Sequence, residues 1–188
     1  MKDKPRNNLA IYQTNRLYVR GLNLSDIDGN YSYWFNDQEV CKFNSHGIFP
    51  KTKQELEDYV RSLSGCNDKV VWAIMDKKTN EHIGNISLQC IDWIIRSAEF
   101  AIIIGEKKCW RKGYATDAAR LLLKHGFEKL NLNRIFCGTA ATNIGMQNLA
   151  LKLNMKLEGK RRKALYLEGK YVDLYEYGLL KDEFVSIK

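Results

Sequence analysis

The stretch Ile102-Ile103-Ile104-Gly105-Glu106-Lys107-Lys108-Cys109-Trp110-Arg111-Lys112-Gly113-Tyr114-Ala115-Thr116 carries the strongest local signal in the chain. Three β-branched residues run into a basic loop containing glycine, and the loop runs directly into the start of a helix. The first backbone N–H groups of a helix have no acceptor within it and carry the positive end of its dipole. A loop that folds those N–H groups inward makes a nest for an anion such as a diphosphate. Gly113 allows the backbone to approach the oxygens without an intervening side chain, and Ala115 is nearly as small. Arg111 and Lys112 add positive charge at the same place. Taken alone, the stretch also fits an ordinary helix start.

Its surroundings sharpen the choice. Residues 112–130 are predicted to form a helix, with Ala115, Ala118, Ala119, Leu122, Leu123 and Phe127 on the buried side. A strand follows at 134–140, and Asn143, thirty residues beyond Gly113, opens a second helix to 153. Two helices that begin at the carboxyl ends of neighbouring strands border one crevice, where open α/β sheets bind ligands. Upstream, strands are expected at 70–75, at 82–95 with a bend at Gly84, and at 97–104. Thr52 and Glu55 form a capping-box pair that opens a helix to about residue 64. Ser25 is expected to cap an earlier helix reaching Asn36, and a short strand at 16–20 precedes it. The chain closes with a hairpin at 155–180, turned at Glu168-Gly169-Lys170.

The order β-α-α-β-β-β-α-β-α-β-β combines an antiparallel meander with one crossover helix, which implies local parallel pairing. The expected fold class is α/β (α+β mixed sheet): a central twisted mixed β-sheet with helices on both faces. One domain is expected over residues 1–188, with 1–10 a flexible segment. The 188 residues suffice for one sizeable core.

Composition limits the function classes. No apolar run approaches the ~18 residues of a membrane span, and residues 1–8 lack an apolar signal core, so the cytoplasm is the expected location. Five scattered cysteines without C-x-x-C spacing point to reduced thiols, and three histidines share no ligand spacing, so no metal is expected. The formal net charge of +8 fits a polyphosphorylated small ligand as well as nucleic acid. Nucleic acid is the less favoured partner, because no aromatic-and-basic interleaving and no helix-turn-helix or finger spacing occurs. The run Lys160-Arg161-Arg162-Lys163 reads as a solvated strand edge.

Strand, Trp110-Arg111-Lys112-Gly113-Tyr114-Ala115-Thr116, helix, strand, Asn143, helix resembles the acetyl-CoA motif of GNAT acetyltransferases, Gln/Arg-x-x-Gly-x-Gly/Ala. Trp110 stands at the Gln/Arg position, as in the RimJ/RimL-like branch. The resemblance runs from Asn15 through Phe184 and includes W-F-N-D-Q-E-V at 34–40, I-G-N-I at 83–86, A-E-F at 98–100 and E-G-K-Y-V-D at 168–173. It implies an N-acetyltransferase using acetyl-CoA. It assigns pantetheine to the backbone of Ile102, Ile103 and Ile104 and to Asn143, and the diphosphate to the N–H groups of Arg111, Lys112, Gly113, Tyr114, Ala115 and Thr116.

Amine attack on a thioester needs a base for the amine proton, donors for the oxyanion and an acid for the thiolate. Strand alternation puts Glu99 on the face opposite Phe100 and Ile102, and a glutamate there resembles the base of histone-acetylating relatives; the alternative is an ion pair with a nearby Lys or Arg. The family's usual tyrosine, serine and Gly-Phe positions hold Ala150, Met146 and Asn154-Met155. The acid is therefore solvent, or Tyr166, Tyr171 or Tyr175 from the closing hairpin. Tyr31, Tyr33 and Trp34 are candidates for an aromatic acceptor wall, with packing on the sheet as the alternative, and His46 is a further lining candidate. The expected acceptor is a small-molecule or nucleotide-sugar amine, ahead of a ribosomal-protein N-terminus and a polyamine. A non-catalytic acyl-CoA-binding module is the competing class. Monomer and homodimer both fit.

Overall fold

The computed structural model describes residues 10–44 and 46–185; most of the segment expected to be flexible lies outside them. Among the described residues eight strands run in chain order as β1 Tyr12–Gln13, β2 Leu17–Gly21, β3 Val70–Asp76, β4 His82–Asp92, β5 Ser97–Ile104, β6 Arg134–Ala140, β7 Lys156–Leu167 and β8 Lys170–Leu180. The helices are α1 Tyr31–Trp34, α2 Lys53–Ser62, α3 Tyr114–Lys124 and α4 Ile144–Lys152. The sheet order is β1-β2-β3-β4-β5-β6-β8-β7, antiparallel except where β5 meets β6. This is the expected mixed sheet, extended by a two-residue edge strand that the periodicity does not announce.

Helices cover both faces. Ala118 and Leu122 of α3 and Leu149 and Ala150 of α4 join Ile86, Phe100, Ile135 and Leu179 in the main core. On the opposite face Tyr31 and Trp34 of α1 pack with Leu56 and Val60 of α2 and with Ile103. Helix α2 starts as its capping box requires: Glu55 N donates to Thr52 Oγ1 at 3.2 Å and Thr52 N donates to Glu55 Oε2 at 2.8 Å.

Three expected elements differ. The helix anticipated at 25–36 is a 3₁₀ turn, Leu24–Asp26, followed by the single turn of α1. The cap is Asn23, two residues earlier than expected: its backbone N donates to the Asp26 carboxylate at 2.9 Å, and Ser25 lies inside the turn with its hydroxyl donating to Asn23 Oδ1 at 2.6 Å. The helix anticipated at 112–130 starts only after Gly113 and widens into a π turn, His125–Lys129, whose first two carbonyls are taken by Leu130 N and Leu132 N. Strand β4 stops at Asp92, because its carboxylate accepts from Ile94 N and Ile95 N and bends the chain into a turn.

Candidate active site

Strands β5 and β6 pair only at Ser97–Arg134, Ala98–Ile135 and Glu99–Phe136. Beyond that rung they part: residues 100–104 stay with β4, and residues 137–140 stay with β8. Gly105 N donates to Ile83 O at 3.0 Å, and in an antiparallel ladder alternate residues turn to opposite neighbours. The backbone groups of Ile103 therefore face β4, whereas those of Ile102 and Ile104 face the opening. The Ile104 carbonyl is already taken by Trp110 Nε1 at 2.7 Å, which leaves Ile102 with both backbone groups directed into the gap.

Above the opening lies the nest. Arg111 (φ 58°) and Gly113 (φ 88°) both take the left-handed conformation, which turns successive amides to one side at the head of α3. Gly113 meets the conformation freely, whereas Arg111 does so against a cost of about 1–2 kcal/mol. Arg16, from the β1–β2 turn, braces the loop from behind. Its Nη1 donates to Lys112 O at 2.6 Å, and its Nε lies 2.8 Å from Asp117 Oδ2 in the first turn of α3. Tyr114 points inward, its hydroxyl donating to Asp76, and that carboxylate pushes the phenol up to about 12. Tyr114 thus contributes only its backbone to the nest. Ala115 packs against the core behind it, and Thr116 follows within the same helical turn.

Charge around the nest is sorted. Lys107 is drawn to Asp37 at 2.9 Å and Glu39 at 2.7 Å, and Lys108 to Glu81 at 2.7 Å. Arg111 and Lys112 have no ion-pair partner among the described residues. On the far side of the opening Asn143 is the N-cap of α4; its Oδ1 accepts from Met146 N at 3.1 Å, and its amide N–H groups remain uncommitted among the described residues.

Glu99 sits at the vertex where the strands part, opposite Gln89 on β4 and Phe136 on β6. It is half-buried on the α1 and α2 face and has no ion pair among the described residues. The thiol behind it, Cys137, is pushed up to about 12 by burial and then by the Glu99 charge, which keeps it protonated. The three hairpin tyrosines separate. Tyr166 and Tyr171 meet at a tilt at the exposed tip, 5.0 Å between centroids. Tyr175 lies on the α3 and α4 face, opposite Thr139, with the Lys160 ammonium over its ring. No tyrosine substitutes on α4, where Ala150 is sealed in the core.

On the α1 and α2 face Tyr31 and Trp34 are 1% and 3% exposed and turn their rings into packing, while Tyr33 is 72% exposed. His46 lies in the loop after α1 with its ring edge on Phe35, 4.9 Å between centroids. The same loop reaches the hairpin tip through Lys42 and Glu168, 3.2 Å apart. Beneath α1, His82 stacks on Tyr31 and meets the edge of Trp34. Its Nε2 approaches Gly84 O at 2.9 Å and Asn85 Oδ1 at 2.7 Å, so that nitrogen carries the proton, while Nδ1 is buried without a hydrogen bond, 3.5 Å from Asp26 Oδ1. Burial lowers the His82 pKa, opposed by Asp26. Burial alone would raise the Asp26 carboxyl, but the hydrogen bonds from Arg20 and Asn23 N and the nearby charges hold it below its ordinary range.

Arg16, Glu106 and His82 are the residues that pattern reading missed. Each acts through a partner distant in sequence, for which a pattern of neighbouring residues gives no signal. Among the described residues no group of three His, Cys, Asp or Glu side chains could hold a metal ion, and no helix is long and apolar enough to cross a membrane.

Comparisons with known proteins identify the family and bear on the fold. Residues 16–156 match the acetyltransferase (GNAT) domain family. The uncharacterised N-acetyltransferase p20 of Bacillus licheniformis is 32% identical over 175 residues, 92% of this chain and 97% of the relative. Spermidine N(1)-acetyltransferase of Vibrio cholerae serotype O1 is 26% identical over 164 residues, 87% of each chain. In fold, the chain is similar to a Vibrio cholerae spermidine N-acetyltransferase crystallised with CoA and spermine, with a TM-score of 0.82, 24% identity, and coverage of 90% of this chain and 98% of that one. A family match across three-quarters of the sequence, joined to a relative of that identity along nearly its whole length, makes this protein an N-acetyltransferase that belongs to the GNAT acetyltransferase family.

Proposed function

We propose that the enzyme moves the acetyl group of acetyl-CoA to a primary amine of a small molecule by direct attack in a ternary complex. The observation that carries this is the half-buried Glu99, without an ion pair among the described residues, at the vertex of the opening between β5 and β6, one face away from the nest. In this reading the nest amides and the charges of Arg111 and Lys112 hold the diphosphate, and pantetheine follows the free backbone groups of Ile102 beside Asn143. The thioester then lies at the opening. Glu99, on the α1 and α2 face, takes the proton of an amine entering from that side, directly or through one water. Tyr175, on the opposite face, or solvent protonates the departing thiolate. Tyr33 and His46 border the entry. A small-molecule amine is supported by the spermidine acetyltransferases among the relatives, and amino-sugar nucleotides remain in the acceptor class that we propose.

The test is thiol release from acetyl-CoA with a panel of spermidine, UDP-amino sugars and peptide N-termini, compared between the wild type and Glu99→Gln. A base of this kind contributes about 10²–10⁴-fold. We expect kcat for the accepted amine to fall by at least about 10²-fold in Glu99→Gln, with recovery as pH rises and the amine deprotonates unaided. Unchanged kcat in that variant would remove Glu99 from the role. Tight CoA binding without turnover on any amine would overturn the proposal.

A further inference from the structure

Glu106 lies between the opened strand and the nest, and its partners come from the other face of the protein. Its Oε1 accepts from Asn30 Nδ2 at 2.8 Å and from Trp34 Nε1 at 3.2 Å. The indole of Trp34 lies flat on the backbone of the preceding residue: a Cβ added at Gly105 would sit 1.9 to 2.3 Å from three indole atoms. Lys107 extends the connection to Asp37 and Glu39. The two lysines beside Glu106 are drawn away to other carboxylates, which leaves this one to the two neutral donors of the α1 segment. On the loop's other side, Gly105 N and Glu106 N both donate to Ile83 O, at 3.0 and 3.2 Å. The chain that approaches the nest is therefore pinned on one flank to β4 and on the other to residues 30–39.

Those residues lead directly into the loop that overhangs the α1 and α2 face. Cys41 N donates to Asp37 O at 2.9 Å, and Cys41 Sγ to Trp34 O at 3.2 Å. Anything that fixes residues 105–110 thus fixes the wall that an incoming amine meets. We propose that Glu106 is a positioning residue, which holds residues 30–39 on the loop before the nest so that the acceptor wall is completed when CoA occupies the donor site. This rests on the donor and acceptor sides proposed above. Linkage makes the effect mutual: if bound CoA tightens the amine, bound amine tightens CoA by the same factor.

The test combines a spectroscopic arm with a kinetic one. In ¹⁵N-indole spectra, with the Trp34 signal assigned by elimination of the other three tryptophans through Trp72→Phe, Trp93→Phe and Trp110→Phe, CoA is expected to shift the Trp34 Nε1–H signal of the wild type. In Glu106→Ala the signal is expected to stay still, while the calorimetric Kd for CoA stays within about twofold. The KM of the accepted amine is expected to rise about tenfold with kcat within about twofold, as for loss of a hydrogen-bonded charged group that acts on binding. Glu106→Gln, whose amide oxygen accepts from the same two donors, is expected to restore most of the KM, and it serves as the second variant should Glu106→Ala fold poorly. A Trp34 signal that responds to CoA equally in Glu106→Ala and wild type, or an unchanged acceptor KM, overturns the proposal. If no amine is turned over, the proposed function fails, and the indole arm alone decides the role of Glu106.

Discussion

On the proposed donor side the nest is made by residues within six positions of one another: two left-handed conformations at Arg111 and Gly113, then the free amides that open α3. On the proposed acceptor side the contacts that place the wall against the rest of the molecule reach much further along the chain. Trp34 meets Glu106 across 72 positions, Asn30 meets Glu106 across 76, and Lys42 reaches Glu168 at the hairpin tip. A site built from backbone conformation survives changes of side chain and leaves a motif behind. A site built from long-range packing leaves residue types but not their partners, and it is the part free to vary among enzymes that share one donor.

This contrast can be broken most forcefully at Gly105. Gly105→Ala drives a methyl group into the Trp34 indole, and forced overpacking costs about 1–3 kcal/mol or more. At about 2–4 °C per kcal/mol for a chain of this size, thermal unfolding is expected to move down by about 5–10 °C. Loss of CoA affinity without a fall in Tm would show that the two sides are not joined through that ring.

Gly113→Ala probes the donor side alone. Holding alanine in the left-handed region costs about 1–2 kcal/mol, so CoA affinity measured by calorimetry is expected to weaken about tenfold. The acceptor KM at saturating CoA is expected to hold. A matching rise in that KM would mean that the nest reaches further than its own backbone.

The histidine beneath α1 makes the acceptor side sensitive to acid. Burial lowers His82 below its ordinary value near 6.5, so between the folded and unfolded pKa values the unfolded chain binds the extra proton. The stability contributed by neutral His82 is therefore complete above about pH 6.5 and is lost as pH falls through that value toward the folded pKa. Urea midpoints are expected to be lower at pH 5.5 than at pH 7.5, and His82→Gln is expected to narrow that difference. It will not vanish, because burial also lowers His125. An undiminished difference in the variant would assign the acid sensitivity elsewhere.

The smallest effect is expected at the strap between loop and hairpin. Lys42 and Glu168 are 43% and 69% exposed, and pairs in that setting contribute about 0–1 kcal/mol. Glu168→Gln is expected to shift Tm by less than about 2 °C. A larger drop would mean that the hairpin tip is held down more firmly than its exposure suggests.

The capping box at Thr52 and Glu55, the limits of β5 and β6, the hairpin turn at Glu168-Gly169 and the cap at Asn143 were all legible because each is a rule about residues a few positions apart. The left-handed turn at Gly113 was legible for the same reason, since glycine before a helix advertises a backbone conformation, whereas the same conformation at Arg111 was not. Tertiary structure alone decided that Tyr31 and Trp34 turn inward while Tyr33 turns out, that Lys107 and Lys108 go to carboxylates while Arg111 and Lys112 have no ion-pair partner among the described residues, and that Arg16 stands behind Gly113. It also decided where β5 and β6 part, after Glu99: the family resemblance implies an opened strand at Ile102 to Ile104, but no residue in either strand marks the point of separation. Helix ends and strand alternation depend on sterics and hydrogen bonds within a few residues, which composition can express. Which strand separates from which, and which ring covers which backbone, depends on how whole elements share one core, and that is settled only when they pack.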